Sequence, residues 1–255
     1  MIIETPNSLD QYFDATNRVC EAVLTADGPI FECLRKYHDY FAGTLWSEAR
    51  LGPAPALTSM NAFMLWLAAV RTAASGHAAA VFPLLRTSLE SACYAFLMKD
   101  DPRLASVWLE RHSAPEKMRL CRKEFTSAVK DVAAGIECDQ PGGGGWILEA
   151  YDLLIDFGAH PNVKSVLGHL VFEEDRGDEY HRMNLVGVYA PDSLELRRAL
   201  VACLDVGLAV AVVLTRAQSN PTQSHQGELW ALNDAKNRLV DSEFFGDAAE
   251  ASPGM

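Results

Sequence analysis

The sequence of 255 residues is acidic, with 22 Lys and Arg against 34 Asp and Glu and a formal net charge of −12. A chain of that charge repels polyanions at long range, so binding to nucleic acid would require a local basic patch. Apolar residues make up 49% of the chain, which supplies a large core and excludes a protein that is disordered as a whole.

Helical periodicity dominates the N-terminal part of the chain. Ser8 is predicted to cap a first helix that ends at the turn over 27–29, and a second helix is predicted from about Ile30 to Ala49. The segment RLGPAPAL contains two prolines and is predicted to be a loop. The next helix, LTSMNAFMLWLAAVRTAA, is apolar nearly all round, which predicts an interior position.

Three further helices are predicted before the glycine-rich segment. The fourth begins near residues 75–77, carries Pro83 in its first turns and ends at Met98. The fifth has Asp101 as its N-cap and Pro102 at its first helical position. A single sixth helix is predicted over APEKMRLCRKEFTSAVKDVAAGIE. It carries a basic cluster, formed by Lys117, Arg119, Arg122 and Lys123.

The glycine-rich segment CDQPGGGG is predicted to be a flexible loop, and it lacks the Gly-Lys-Ser/Thr ending of a phosphate-binding loop. A seventh helix, WILEAYDLLIDFG, is predicted to end at Gly158 in a left-handed cap. The segments SVLGHLVFEE and EYHRMNLVGVY predict a β-hairpin with its turn at 175–178. Asp192 is predicted to cap a long core helix that ends near Gln218, and HQGELWALNDAKNRLVDSEFF predicts a final helix.

Together these elements predict an all-α protein. We expect a bundle of about eight or nine helices with a small β-hairpin insertion near 165–190. The bundle is predicted to form a single domain over 1–246, followed by a disordered tail over 247–255.

Cysteine usage and hydropathy predict a cytoplasmic protein with no membrane contact. The six cysteines lie far apart without a Cys-x-x-Cys pair, which favours a structural role and the reducing cytosol. The acidic N-terminus MIIETPNSLDQYF does not resemble a signal peptide. The apolar run at 199–214 is about 16 residues long, shorter than the ~20 residues that span a bilayer, and predicts a buried helix.

The fourth helix places a cation among apolar side chains. On a helical wheel Arg86 falls between Phe82 and Leu97, within the apolar arc, and Glu90 lies one turn away at its edge. Because an unpaired buried charge is costly, the Arg86–Glu90 pair is expected to form. It either joins two helices or a dimer interface, or it faces a cavity where Arg86 binds an anion and Glu90 fixes the guanidinium.

The stretch YDLLIDFGAHPN suggests partners for this pair. His160 follows the end of a helix, where the dipole favours its charged form, and Pro161 holds the backbone extended. Asn162 is a turn or capping residue, and Tyr151 lies on a helix face that leads towards His160. Arg86, Glu90 and His160 are therefore the candidate catalytic residues, with Tyr151 and Asn162 as candidate ligand-binding residues; the alternative is that His160 only closes the helix.

Taken together, LLRTSLESACYAFL, DPRLASVWLERH and YDLLIDFGAHPN, followed by a hairpin and a long apolar helix, resemble bacterial helical proteins grouped with the HEPN-like superfamily (abortive-infection-like). The resemblance covers roughly residues 60–215. It implies a helical bundle, frequently dimeric, whose active members cleave RNA with an Arg and a His from an Arg-x4-6-His motif across the dimer. RTAASGH, Arg71 to His77, and RGDEYH, Arg176 to His181, have this spacing; the first straddles a predicted helix break and the second lies in the predicted hairpin turn.

Other chemistry has little support in the sequence. Zinc-protease, serine-hydrolase, Rossmann and di-iron bundle motifs do not occur. The acidic residues at 172–179, near His169 and His181, are interpreted as a solvated turn and not as a metal site. We therefore predict no metal and no cofactor.

Two functional hypotheses follow. The first is a HEPN-like protein with an anion site directed at a nucleotide or RNA, related to stress or defence; any catalysis would be metal-independent, ribonuclease-like acid–base chemistry. The second is a non-catalytic subunit that binds a protein partner or dimerises. Both predict a homodimer, because helices that are apolar all round need more covering than one small bundle supplies.

Overall fold

The computed structural model describes residues 8–47, 50–159, 163–172, 183–218 and 222–242. The described residues form an all-α bundle. Its helices are α1 Leu9–Ala26, α2 Pro29–Asp39, α3 Leu45–Ser47, α4 Pro53–Ala74, α5 Ala78–Met98, α6 Pro102–Leu109, α7 Pro115–Phe125, α8 Ala128–Asp139, α9 Gly143–Leu154, α10 Val163–Leu167, α11 Leu194–Ala217 and α12 Gln223–Val240. Two π-helical turns, Tyr40–Thr44 and Ile155–Ala159, extend α2 and α9.

Several helix ends lie where the sequence predicts them. The hydroxyl of Ser8 accepts a hydrogen bond from the N–H of Gln11 (3.2 Å) at the start of α1. The carboxylate of Asp101 caps α6, whose first residue is Pro102. The long helix α11 is capped by Ser193, one residue beyond the predicted Asp192, because the Ser193 hydroxyl accepts from the N–H of Leu196. The predictions at Ser8 and Asp101 are confirmed, because a cap depends on the nearest few residues alone, whereas the cap of α11 is one residue later than predicted.

Helix α5 lies at the centre of the bundle, packed against both α4 and α11. An aromatic core fills the space where α2, α4 and α11 meet, formed by Tyr37, Phe41, Phe63 and Trp66. The Trp66 indole donates to the carbonyl of Cys203 on α11 (2.8 Å). Close approach of the helices requires Gly207, since a Cβ there would lie 2.6 Å from the Trp66 indole nitrogen. One contiguous apolar cluster runs from α1 to α12.

Three predicted boundaries are wrong. The predicted loop RLGPAPAL becomes helical at Pro53, because a proline at the first helical position needs no N–H partner. The predicted single helix over 114–137 is two helices, α7 and α8, which break at Thr126–Ser127. The glycine-rich segment is not a loop throughout, because α9 begins at Gly143.

The first residues of α9 are glycines whose backbone N–H groups bind a carboxylate. The Glu137 carboxylate accepts hydrogen bonds from the N–H groups of Gly142 (2.8 Å), Gly144 (2.9 Å) and Gly145 (3.3 Å). These bonds, led by the one from Gly142, lower the pKa of Glu137 below its ordinary value. The glycine run thus holds an anion, but that anion is the protein's own side chain.

The predicted left-handed cap at Gly158 is also wrong, because α9 continues as the π-helical turn through that residue. Gly158 serves close packing on α5 instead. A Cβ there would lie 2.4 Å from the Cβ of Phe82 and 2.9 Å from Cδ of Pro83.

The hairpin region differs in extent from the prediction. Helix α10 covers residues 165–167, where the start of a strand is predicted, and β1 Leu170–Phe172 pairs antiparallel with β2 Met183–Leu185 over three residues. The predicted turn at 175–178 and the predicted tail over 247–255 lie outside the described residues. A full hairpin insertion over 165–190 and a single domain over 1–246 stay predictions.

Helix α4 is not wholly interior as predicted, because Leu57, Met60 and Met64 are exposed by 53%, 57% and 60%. Among the described residues, α4 and α11 are long and apolar enough to cross a membrane. In α11 72% of the apolar window is buried inside the bundle, against 39% in α4.

Candidate functional site

The predicted Arg86–Glu90 pair forms, and Tyr151 joins it. Nε of Arg86 donates to Oε1 of Glu90 (2.9 Å), one turn along α5. The Tyr151 hydroxyl, from α9, donates to the same Oε1 (2.8 Å) and accepts from Nη2 of Arg86 (3.3 Å). The guanidinium also lies over the Tyr151 ring, 5.5 Å from its centroid. Two helices therefore fix one guanidinium and one carboxylate in a closed triangle of contacts.

The triangle lies at a surface and not inside the core. The side chains of Arg86 and Glu90 are 27% and 31% exposed. Burial lowers the pKa of Arg86, but Glu90 and Tyr151 outweigh this effect and raise it overall, so the guanidinium remains charged. Of the five N–H donors of a guanidinium, two have described partners here, which leaves three for solvent or a ligand.

A cleft of about 370 Å³ opens beside the triangle. One wall is a stripe on α5, Arg86, Glu90 and Tyr94, which stand at positions i, i+4 and i+8 and so share a helix face. Tyr151 closes one side. We call this space, with the residues that line it, the cationic cleft.

The opposite wall comes from the α6–α7 turn, α7 and the beginning of α8. It brings three further cations to the cleft, Arg111, Arg122 and Lys130. The break between α7 and α8 lies at this wall, since Thr126 and Ser127 line the cleft together with Lys130. The first residues of α8 line it too, and the Ser127 hydroxyl donates to Asp131 (2.6 Å) and makes no capping bond to these N–H groups.

Several polar groups of the cleft have no partner among the described residues. Nε of Arg111 is buried without a hydrogen bond. Arg111, Arg122 and Lys130 form no ion pair with a described carboxylate. Burial raises the pKa of Tyr94, with Glu90 adding to the rise and Arg111 opposing it, so its hydroxyl lies within the fields of both charges. The cleft therefore carries cationic side chains that are not neutralised by other described residues.

The described residues place only part of the predicted site. They bring Arg86, Glu90 and Tyr151 together as predicted, whereas His160 and Asn162 lie outside the described residues. The sequence analysis missed Tyr94, Arg111 and Lys130, and it noted Arg122 only as part of a basic cluster. A signal existed for Tyr94, since it extends the Arg86–Glu90 spacing by one turn; for Arg111 and Lys130 none did, because helix packing alone brings them there.

The two Arg-x4-6-His matches fare differently. Arg71, at the end of α4, lies against the Cys20 thiol, while His77 contacts the Tyr12 hydroxyl. Both partners are on α1, eight residues apart, which is about 12 Å along a helix. The second match, Arg176 to His181, lies outside the described residues, as does most of the acidic segment 172–179. Within the described ranges, no three His, Cys, Asp or Glu side chains group as a metal site.

No family model, curated protein or solved structure matches the chain. The chemistry of the cationic cleft is therefore the evidence for a function.

Proposed function

We propose that the cationic cleft binds a small phosphate-bearing ligand of nucleotide size. The observation that carries the proposal is that Arg111, Arg122 and Lys130 line one cleft and that none of them pairs with a described carboxylate. Nε of Arg111 is buried without a partner, so this guanidinium is partly desolvated, and an anion that pairs with it would offset the cost of that burial.

The charge of the cleft opposes that of the chain. Arg86, Arg111, Arg122 and Lys130 against Glu90 give a local formal charge of 4 − 1 = +3, while the chain carries −12. Arginine forks match phosphate oxygens in pairs, and the uncapped start of α8 adds a partial positive charge. These features favour a compact oxyanion over a diffuse negative surface.

Size and lining favour a small molecule. A volume of about 370 Å³ lies in the lower part of the ~300–1,000 Å³ range of small-molecule sites. Tyr94, which stacks on the buried Phe125 (4.3 Å between ring centroids), adds a partly exposed aromatic side chain beside the cations, which suits the sugar or base of a nucleotide. The predicted cytoplasmic location is part of this proposal, and the six free cysteines support it.

The described residues support binding more than catalysis. Acid–base chemistry near neutral pH needs a group with a pKa near 7. Burial raises the pKa of Tyr94, Tyr151 and Cys121, which carries these groups further from that range. His160 is the residue that would supply such a group. The HEPN-like, metal-independent ribonuclease therefore stays a prediction, checked by incubating the protein with RNA and comparing His160→Ala.

Calorimetric titration with inorganic phosphate and nucleoside monophosphates tests the binding proposal. Because a hydrogen bond to a charged group contributes about 1.5–3 kcal/mol, Arg111→Gln should weaken binding about 10- to 100-fold. Arg122→Gln should weaken it as well. The matched control is Arg119→Gln on the same helix, since Arg119 pairs with Glu116 on an exposed face. No binding at millimolar concentration, or an equal loss in Arg119→Gln, would overturn the proposal.

The second candidate function is self-association, and the exposed face of α4 favours it. Leu57, Met60 and Met64 lie at i, i+3 and i+7, so they form one apolar stripe. We propose that this stripe is the surface at which a second copy of the chain or a protein partner binds. Light scattering on the wild-type protein and on Met60→Glu/Met64→Glu tests it, with Leu109→Glu, an exposed residue on α6, as control. A monomer at all concentrations would exclude the homodimer.

A further inference from the structure

We infer that Glu90 is a specificity-determining residue that selects phosphate esters carrying a hydroxyl or amino group, and rejects bare oxyanions. The inference rests on the proposed function and narrows its ligand class. It follows from the one carboxylate among the described residues that line an otherwise cationic cleft.

Half of this carboxylate is committed to the protein and half is not. Oε1 of Glu90 accepts from both Arg86 (2.9 Å) and Tyr151 (2.8 Å). Oε2 accepts from no described residue, and the Glu90 side chain is 31% exposed. Because Glu90 lines the cleft, Oε2 is the acceptor that we assign to a ligand.

The committed half keeps that acceptor in place. Tyr151 donates from α9 and Arg86 from the preceding turn of α5, so Glu90 is held from two directions. An acceptor held by other residues loses little conformational freedom when a ligand binds, which makes it effective in selection. Arg86 in this arrangement has two roles, since it also keeps three N–H donors for the ligand.

The two walls of the cleft differ in charge, because Arg86 and Glu90 offset each other on α5 while the opposite wall carries only cations. Glu90 and Tyr94 lie one turn apart on α5, which is about 6 Å along the helix. Arg111, Arg122 and Lys130 line the opposite wall without carboxylate partners. The charges of both walls act on Tyr94, because Glu90 raises its pKa and Arg111 lowers it. A ligand that fits both walls carries its anion towards the α6–α8 wall and its donor towards Glu90.

Repulsion gives the same selection from the negative side. An oxyanion that carries no hydroxyl, such as sulfate, brings negative charge close to Oε2 of Glu90 and offers it no donor. A hydroxylated ester separates its phosphate from that oxygen and turns a hydroxyl towards it. Glu90 thus weakens the wrong ligand and strengthens the right one, which is how specific sites combine attraction with repulsion.

The test uses two esters that differ in their hydroxyls. Glycerol 3-phosphate, n-propyl phosphate and sulfate are titrated into the wild-type protein and into Glu90→Gln. Wild type should prefer glycerol 3-phosphate to propyl phosphate by about tenfold, the effect of one hydrogen bond to a charged group. Glu90→Gln should lose this preference and bind sulfate more tightly than wild type does. A merely structural role for Glu90 would weaken all three ligands together.

Two further variants keep the result interpretable. Tyr151→Phe retains the carboxylate but removes one of the two bonds that hold it, so it should reduce the preference less than Glu90→Gln does. Glu116→Gln removes an exposed carboxylate on α7 that does not line the cleft, and should change nothing. If wild type binds none of the three anions, the proposed function fails. If Arg111→Gln weakens phosphate binding but Glu90→Gln keeps the wild-type preference, the proposed function stands and the selection by Glu90 is wrong.

Discussion

The aromatic core and the cationic cleft treat polar groups in opposite ways. In the core, the Trp66 indole donates to a carbonyl of α11, and the Tyr40 hydroxyl contacts that of Thr215. In the cleft, Nε of Arg111, Oε2 of Glu90 and the Tyr94 hydroxyl have no partner among the described residues. Polar groups that a fold needs are paired within it, whereas groups that meet a ligand are left for the ligand.

The exceptions in the core sharpen this contrast. Within the described residues, three buried side-chain atoms lack a partner: Oγ of Ser59, Oε1 of Gln218 and Nε of Arg111. The first two belong to neutral groups, for which a missing bond costs least. Arg111 alone is charged, and it lies in the cleft. The core should therefore govern stability, and the cleft should govern binding at little cost to stability.

The largest expected effect is the loss of the central indole. Trp66→Ala should lower the free energy of unfolding by about 3–5 kcal/mol, because it leaves a cavity and removes the indole bond to the Cys203 carbonyl. Urea unfolding followed by circular dichroism measures it. Trp230→Ala, at a residue 68% exposed on α12, is the matched control and should change stability by less than about 0.5 kcal/mol. Equal losses in both would show that Trp66 is not the centre of the core.

A smaller loss is expected from an added methyl group. In Gly207→Ala the new Cβ would lie 2.6 Å from the Trp66 indole nitrogen and 3.1 Å from Cδ1 of Tyr37, so α4 and α11 must move apart. Overpacking of this kind costs about 1–3 kcal/mol. Gly135→Ala on the open face of α8 meets nothing within 4 Å and should gain about 0.5–1 kcal/mol from helix propensity. A gain in both variants would contradict the tight crossing at Gly207.

In the cleft, removal of a polar group should leave the free energy of unfolding unchanged or raise it. Arg111→Met replaces an unpartnered guanidinium by an apolar chain of similar length, so stability without ligand should stay unchanged or rise by up to about 1 kcal/mol. Phosphate affinity should fall about 10- to 100-fold in the same variant. Thermal unfolding with and without phosphate measures both effects. A stability loss near 2 kcal/mol without ligand would mean that Arg111 has a structural role, and the contrast between core and cleft would fail.

The sequence predicts most helices because their signals are local. The caps at Ser8 and Asp101 act over three residues, and the apolar run of α11 identifies a core helix wherever it packs. The predictions that fail depend on contacts distant in sequence. Gly158 fits a helix end equally well, and only Phe82 and Pro83 beside it explain its position in a π-helical turn. The glycines of α9 predict a loop from sequence alone, and only the contact of Glu137 with their N–H groups explains why they are helical.

In the candidate site, too, local contacts could be predicted from the sequence and contacts between distant residues could not. Arg86 and Glu90 are one turn apart on one helix, so the wheel alone predicts their pairing. Tyr151 is predictable only as a residue facing the same side, and its contact with both comes from the packing of α9 on α5. Arg111 and Lys130 reach the cleft through the turn after α6 and the break before α8. No periodic pattern marks either of them, and so the opposing wall could not be derived from the sequence.

The smallest expected effect concerns polar groups of an intermediate kind, partly buried and paired with tyrosine. His77 contacts the Tyr12 hydroxyl and His169 the Tyr189 hydroxyl. Burial lowers the pKa of both histidines below the ordinary 6.5, although a backbone bond near His77 and the charge of Glu195 near His169 oppose it. Above pH 6.5 both states hold neutral imidazoles. As the pH falls through 6.5, the unfolded chain binds protons first, so the free energy of unfolding decreases.

Urea unfolding between about pH 7.5 and 5.5, where carboxylates titrate little, should show this decrease in the free energy of unfolding. His77→Gln/His169→Gln should flatten it and the exposed His112→Gln should not; an unchanged slope in the double variant would place the titrating groups elsewhere.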